Sequence, residues 1–355
     1  MIHTPTRVVV HLVDLKADMG GSLPHTCEVL TRLARRVPIT VLTDRRSVDV
    51  LSGRLGQGEL SVRVLPWPLR GRFARLVVES MVLGPISWVC RSVVVWSPLS
   101  ITAPRFVRRR AYAVSFHDLD TGTTGGRGRV RRRAGRAARR ASVILVPSSV
   151  VADRARSLGQ GRGRIAVVGG GATAGYGQRR ESASPFALCI ASDEENKGHR
   201  TLAAAVGSLA EDLPCLRLVL AGSRRHGAYL ASAYSGLPRA QWKDVGFVDR
   251  AALSDLLRSC RLLVSASEYE GLGLALLDAI AAGVPLVATR VGALIDHPDL
   301  LQTAVAPGDV GALADALRET WTSPAKGRGG DLVVAGLTWR ATADRVADAL
   351  GVSGG

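Results

Sequence analysis

SASEYEGLGLALLDAIAAGVPLVAT, residues 265–289, is the stretch on which the fold turns. Its front end closes a short apolar run, LLVS at 262–265, that reads as a buried strand. Two acids follow, Glu268 and Glu270, and then Gly271, Leu272 and Gly273. From Leu274 the apolar residues read as a helix as far as Ala282, and residues 285–289 make another strand-like run. Strand, glycine loop, helix and strand form a β-α-β unit of a parallel sheet. The C-terminal end of such a strand is where open α/β sheets bind ligands. Glycines at the junction let a backbone approach a ligand closely, and the N–H groups of a helix N-terminus favour an anion such as a pyrophosphate. Asp278 stands one turn beyond Leu274 on a helix otherwise built from Leu276, Leu277 and Ile280, where a carboxylate is costly unless paired or used. Two carboxylates flanking a phosphate cradle suit hydroxyl recognition, one for a sugar and one for a ribose. An ordinary loop with a solvent-facing Asp is the competing reading, and for a lone GxG it would win. The segment is not the dinucleotide fingerprint, which needs GxGxxG after the first strand. Here Glu270, the glycines, Asp278 and Ala282-Gly283-Val284-Pro285 all fall in one register.

The same alternation extends in both directions. Residues 7–15, RVVVHLVDL, read as a buried parallel strand, followed by Gly20-Gly21 and an amphipathic helix over 25–36. Further strands are expected at 39–43, 61–65, 92–96, 112–116 and 142–146. Small residues dominate 169–184, GGGATAGYGQRRESAS, which reads as a linker. A second alternation follows, with strands at 186–191, 217–221, 262–265 and 285–289 and helices at 199–210, 251–258, 274–282 and 309–320. Residues 338–350 form a last amphipathic helix. The fold class expected is α/β with two doubly wound, Rossmann-like domains facing each other across a ligand cleft. The expected boundaries are 1–170, a linker 171–184, a second domain 185–336, and residues 337–355 as a helix that crosses back to the first.

Composition bounds the function. With 355 residues and 46% hydrophobic content, two cores of about 150 residues each can be buried. Aromatics are only 5%, which disfavours a sandwich rich in Tyr and Trp. Cys27, Cys90, Cys189, Cys215 and Cys260 are scattered and odd in number, which argues against a disulfide framework or structural zinc and for a reducing compartment. Neither a signal peptide nor a membrane span is expected; the apolar region 76–96 is interrupted by Glu79, Pro85 and Arg91. The formal charge of +17 suggests an anionic partner, although an Arg-rich compositional bias accounts for part of it. Twelve arginines lie within residues 105–140 against two acids, Asp118 and Asp120. Without interleaved aromatics the stretch is a poor nucleic-acid stacking surface. An anionic membrane surface or a phosphorylated acceptor is one reading, and a solvated face is the other. Trp67, Trp88 and Trp96 read as core or interface, and Trp242 as packing.

The run EGLGLALLDAIAAGVPLVAT resembles the E-x7-E signature of family 4 retaining glycosyltransferases, which have the GT-B fold. Weaker likenesses follow in the right order. They are Gly20-Gly21 with ARRVPITVLT, Phe116-His117-Asp118, Val146-Pro147-Ser148-Ser149, DEENKGH at 193–199, DVGFV at 244–248, and LTWRATADRVADAL at the end. The resemblance implies transfer of a hexosyl, N-acetylhexosaminyl or mannosyl group from a nucleoside-diphosphate sugar, such as a UDP-sugar or GDP-mannose, to an acceptor hydroxyl. It implies retention by front-face attack, no metal, and no cofactor beyond the nucleotide sugar as substrate. Lys197 is then expected to neutralise the diphosphate, with backbone N–H groups of Gly273 and Leu274 beside it. Glu270 is expected at the transferred sugar, Asp278 at the ribose and Val248 at the base, with Ser192, Gly271 and Leu272 also among the donor-binding residues. Gly20 and Gly21 are expected at the phosphates or acceptor, and His117 near the reacting sugar. Two positions depart from the pattern: Asp278 stands where the family has Glu, and Ser192 where many members have Arg, a loss that Arg224 or Arg225 could offset. The acceptor is expected to be anionic or membrane-associated through residues 105–140, with no nucleic acid partner. The expected location is the cytoplasm, including the inner face of its membrane. Another GT-B enzyme, such as a sugar-nucleotide epimerase, and a basic protein without catalysis remain the alternatives.

Overall fold

A computed structural model describes residues 5–15, 20–55, 60–65, 72–90, 92–99, 104, 106–119, 127–158, 163–172, 176–180, 182–224, 227–301, 303–324 and 331–352. The chain divides into two compact units. One is Met1–Gly170 with Thr338–Gly355, and the other is Gly171–Leu337.

The first unit is built on seven parallel strands: β1 (Arg7–Leu12), β2 (Ile39–Thr43), β3 (Leu60–Val64), β4 (Val93–Ser97), β5 (Tyr112–Ser115), β6 (Val143–Val146) and β7 (Arg164–Val167), in the order β3-β2-β1-β4-β5-β6-β7. A parallel sheet is covered on both faces, so its central strands must be apolar throughout rather than alternating. β1 and β4 meet that demand: every residue of β4 is buried, and in β1 only Arg7 is exposed. The strand order reverses between β1 and β4, so the loops after them form the switch point of this sheet. The helix Trp339–Leu350 also belongs to this unit. Thr338 caps it by accepting from the Ala341 N–H at 3.1 Å, Arg36 pairs with Asp344, and Arg164 donates to the Ala349 carbonyl at 2.9 Å.

The second unit has six parallel strands: β8 (Ala187–Ile190), β9 (Leu218–Ala221), β10 (Trp242–Gly246), β11 (Leu262–Ser265), β12 (Leu286–Thr289) and β13 (Thr303–Val305), in the order β10-β9-β8-β11-β12-β13. The period of two is legible in its cores. Ala187, Cys189, Leu262, Val264 and Val287 pack on one side with the helices His199–Ser208 and Val310–Thr322. Leu188, Leu263, Leu286 and Ala288 pack on the other with the helices Arg250–Ser259 and Leu274–Ala281. Each such buried leucine stabilises the fold by about 1.5–3 kcal/mol. Here the order reverses between β8 and β11.

Three strands escape the sequence pattern. β7 and β10 are edge strands with exposed residues, and β13 is three residues long. The expected linker also departs from expectation. Tyr176 is buried in the second core, the Arg180 N–H donates to the Arg258 carbonyl at 2.9 Å, and Arg179 donates to the Cys260 carbonyl at 2.5 Å. A Gly-rich composition concealed one aromatic anchor and two arginine clamps. Trp67, Asp120, residues 121–126 and Arg105 fall outside the described residues.

Candidate functional site

The loops that leave β8 and β11 meet where the second sheet changes direction, which is where a ligand of such a sheet binds. Lys197 ends a single 3-10 turn, Glu195–Lys197, and its Nζ donates to Glu270 Oε1 at 2.9 Å. Ser267 Oγ donates to the same oxygen at 2.8 Å. The two side chains are 15% and 21% exposed, so solvent screens this pair less than one on the surface. Oε2 of Glu270 makes no hydrogen bond among the described residues.

The pair depends on backbone contact between its loops. The Glu268 N–H donates to the Asn196 carbonyl at 2.8 Å. Gly198 makes this approach possible: its φ is +66°, and a methyl there would stand 1.9 Å from the Ala266 carbonyl oxygen. The loop after β12 supports the arrangement from behind. Thr289 Oγ1 donates to the Ser267 carbonyl at 2.6 Å and the Ala293 N–H to the Leu272 carbonyl at 3.0 Å. A methyl on Gly292 would meet that Leu272 oxygen at 2.8 Å.

Gly271, Leu272 and Gly273 are buried, and Gly273 begins the helix Leu274–Ala281 in the left-handed region at φ +84°. No side chain caps this helix. Its first N–H groups, with the positive end of the helix dipole, therefore suit an external anion. Asp278 lies half-buried on the same side of the helix as Leu274, while Leu276, Leu277 and Ile280 are buried.

Ser192 follows β8, and its Oγ donates to Glu194 at 2.9 Å. Its carbonyl accepts from His199 Nε2 at 2.8 Å, and His199 Nδ1 lies 3.0 Å from the Tyr234 hydroxyl. In the neutral ring Nδ1 is the acceptor, because Nε2 must donate to the carbonyl. Burial lowers the pKa of His199, outweighing the opposing bond to Ser192. Arg224, one candidate to replace a cation at position 192, is already engaged. Its Nη1 donates to the Ala191 carbonyl at 2.9 Å, and its Nε and Nη2 fork Asp244 at 2.7–3.0 Å. Burial raises the Asp244 pKa, but Arg224 and the Gly246 N–H outweigh it and the net shift is downward. Arg225 lies outside the described residues. Val248 is half-buried against the second core, just before Asp249, which caps the helix Arg250–Ser259.

Gly20, Gly21 and His117 lie in the first unit. Gly20 has φ +61° with open space about it, and Gly21 begins the helix Ser22–Leu33 without a side-chain cap. His117 follows β5, and its Nε2 donates to the Pro98 carbonyl at 2.9 Å, beyond the end of β4. Its ring meets His25 edge-on at 4.8 Å. Burial, then the neighbouring His25, push the His117 pKa down to about 3, against the pull of the Pro98 carbonyl. His117 is therefore neutral at physiological pH, with Nδ1 as its lone-pair acceptor.

Residues 184–323 match the family model described as Glycosyl transferases group 1. All of the matched residues lie in the second unit. Glycogen synthase of Mycobacterium tuberculosis is 32% identical over 193 residues, covering 52% of this chain and 46% of that protein. A GDP-mannose-dependent alpha-(1-6)-phosphatidylinositol dimannoside mannosyltransferase of the same species is 34% identical over 113 residues, covering 32% and 29%. The matched region thus spans about half the length of the first relative and less of the second. Among solved structures, sucrose-phosphate synthase from Thermosynechococcus elongatus superposes with TM-score 0.73 at 17% identity, covering 97% of this chain and 98% of that one. HepE of Anabaena, in complex with UDP and glucose, superposes with TM-score 0.70 at 16% identity over 96% and 98%. The fold is GT-B.

Within the second unit, sequence reading singled out Lys197 and Glu270 but not what joins them. Gly198, Ser267, Thr289, His199 and Gly292 supply the close approach and the hydrogen bonds. Gly198 was legible only as the residue after Lys197, because the carbonyl it avoids lies 68 residues further on, at Ala266.

Proposed function

We propose that this protein is a retaining glycosyltransferase that moves a hexosyl group from a nucleoside-diphosphate sugar to an acceptor hydroxyl. The observation that carries the reading is the Lys197–Glu270 pair at the switch point of the second sheet, beside the uncapped N-terminus of the helix Leu274–Ala281. A diphosphate placed there receives the Lys197 ammonium and the first N–H groups of that helix, which stabilise the charge that develops as the sugar leaves. These groups do the work a metal ion does elsewhere, so the reaction proceeds without one. Glu270 is left with a second carboxylate oxygen for hydroxyls of the transferred sugar, and Asp278 takes the ribose diol. Val248 lies at the base and Ser192 in the donor loop.

The acceptor oxygen bonds to the anomeric carbon on the face from which the diphosphate departs. The carbon–phosphate-oxygen bond breaks, the acceptor proton passes to the leaving phosphate oxygen, and the configuration is kept. In the first unit, the Gly20-Gly21 turn follows a strand at that sheet's own switch point, and His117, neutral, is a hydrogen-bond partner rather than a cation. The protein works in the cytoplasm. The test is turnover of UDP- and GDP-sugars by the full chain with and without EDTA, in the wild type and in Glu270→Ala and Lys197→Ala. The expected result is EDTA-insensitive turnover lost in both variants. Turnover unchanged in both would sink the site.

A further inference from the structure

The first unit presents an apolar surface that its own core does not use. The helix Arg72–Val89 packs inward through Leu83, with Val82 and Ile86, against Val93, Val95 and Val107. Its outer side carries Met81, Trp88 and Val89, which are 68%, 63% and 80% exposed, with Pro85 exposed between them at helical spacing. Phe106 stands beside this stripe, 63% exposed. It is held there: Trp88 Nε1 donates to the Phe106 carbonyl at 2.9 Å and the Arg108 N–H to Ser87 Oγ at 2.8 Å. A methyl on Gly84 would meet Phe106 Cβ at 3.0 Å. Trp88 was expected in a core or an interface, and its ring faces outward with its one polar atom already satisfied. Single exposed apolar side chains are ordinary, but a fixed contiguous stripe with two aromatics marks an interaction surface.

The charge beside the stripe points to the partner. The helix Arg127–Arg140 buries Ala134, Ala137 and Ala138 in the same core that Leu83 enters. Both helices therefore cover one face of the sheet, and their outer sides look the same way. That outer side of the second helix carries exposed Arg131, Arg132, Arg136 and Arg139, while Arg109 and Arg110 are exposed just after Phe106. None of these six arginines pairs with a carboxylate among the described residues, whereas Arg156 in the next helix, Ser149–Ser157, pairs with Asp153. A second copy of a chain with net charge +17 would be repelled from such a face. Only Trp88 and Phe106 of this stripe can stack on nucleic acid bases, whereas Met81, Pro85 and Val89 are aliphatic and suit an apolar layer that takes all five. Among the described residues no helix is long and apolar enough to cross a membrane.

We propose that this face seats on the surface of an anionic lipid bilayer. Met81, Trp88, Val89 and Phe106 enter the interfacial layer, and the arginines meet the headgroup phosphates while their stems lie along the apolar boundary. The proposal does not rest on the donor site, which lies in the other unit, so either can fail without the other.

The test is co-sedimentation of the full chain with vesicles of phosphatidylcholine alone and with added phosphatidylglycerol, at about 0.1 M salt and at several-fold higher salt. Strong binding is expected only to the anionic vesicles, and it should weaken with salt. Each Arg→Gln change at 131, 132, 136 or 139 should weaken binding about fivefold. Trp88→Ser with Phe106→Ser should weaken it about tenfold. Quenching of tryptophan fluorescence by brominated lipid reads insertion without depending on a destabilised variant. Quenching should occur in the wild type and fall sharply in Trp88→Phe, which still binds. Absence of binding, or binding with no quenching that depends on Trp88, would overturn the proposal.

Discussion

Replacing Gly198 by alanine separates the two loops that make the donor site. The new methyl would lie 1.9 Å from the Ala266 oxygen, and real contacts of this kind essentially never fall below 3.0 Å. The loops must therefore part by 1.1 Å, the difference between those two distances. A shift of that size breaks the Glu268–Asn196 bond and pulls Lys197 from Glu270. Forcing an alanine into the left-handed region costs about 1–2 kcal/mol, and the lost hydrogen bond about 1 kcal/mol more. A loss of about 2–3 kcal/mol in unfolding free energy is expected. The effect on turnover should be larger in kind, because misplacing reacting groups by about 1 Å costs on the order of 100-fold in rate. Gly283→Ala is the control: its φ is also +66°, but nothing lies within 4 Å of the added methyl. It should show the backbone cost alone, with turnover intact. Urea unfolding and the kcat/KM for donor-sugar turnover, measured on both variants, check the reasoning. Equal kcat/KM in the two variants would refute it.

Three further outcomes are expected. Asp278→Ala should raise the donor KM about tenfold at nearly constant kcat, because a contact to the ribose is uniform binding, and an initial-rate series in donor concentration checks it. Acid should destabilise the fold: His25, His117 and His199 all have lowered pKa values, so the folded state resists protons that the unfolded chain accepts. Their contribution is complete above the ordinary value of 6.5 and is lost as pH falls below it, in the case of His117 down to about 3. Each costs up to about 1.4 kcal/mol per pH unit in that window, and urea midpoints at stepwise lower pH should fall accordingly. Thiol labelling of the native protein should modify Cys90 and Cys215, which are exposed, and spare the other three. Burial raises Cys27 to about 11 and Cys189 and Cys260 to about 12, and all five should react once the chain is unfolded.

Much of the fold was legible because parallel strands are written as unbroken apolar runs. The segments expected at 39–43 and 262–265 coincide with β2 and β11. Of the four edge strands, β3 was expected at 61–65, and β7, β10 and β13 were not legible. β10 reads WKDVG, and exposed Lys243 and Asp244 hide a strand whose neighbour among the described residues is β9. In the candidate site, Lys197 and Glu270 could be picked out by residue type and by the loops that carry them. The contacts between those loops could not, since they join backbone atoms far apart in sequence. Arg224 shows the converse limit. Sequence offered it as a spare cation, but Asp244 lies 20 residues on and occupies its fork.

The central claim is that a nucleotide sugar binds at the Lys197–Glu270 junction of the second sheet. Calorimetric titration of the full chain with UDP, GDP and ADP, repeated on Lys197→Ala, tests it most directly. One nucleotide should bind the wild type, and the variant should bind it at least tenfold more weakly, since it lacks a charge-assisted contact of about 1.5–3 kcal/mol. Binding of none of the three, or equal binding by the variant, would contradict the account.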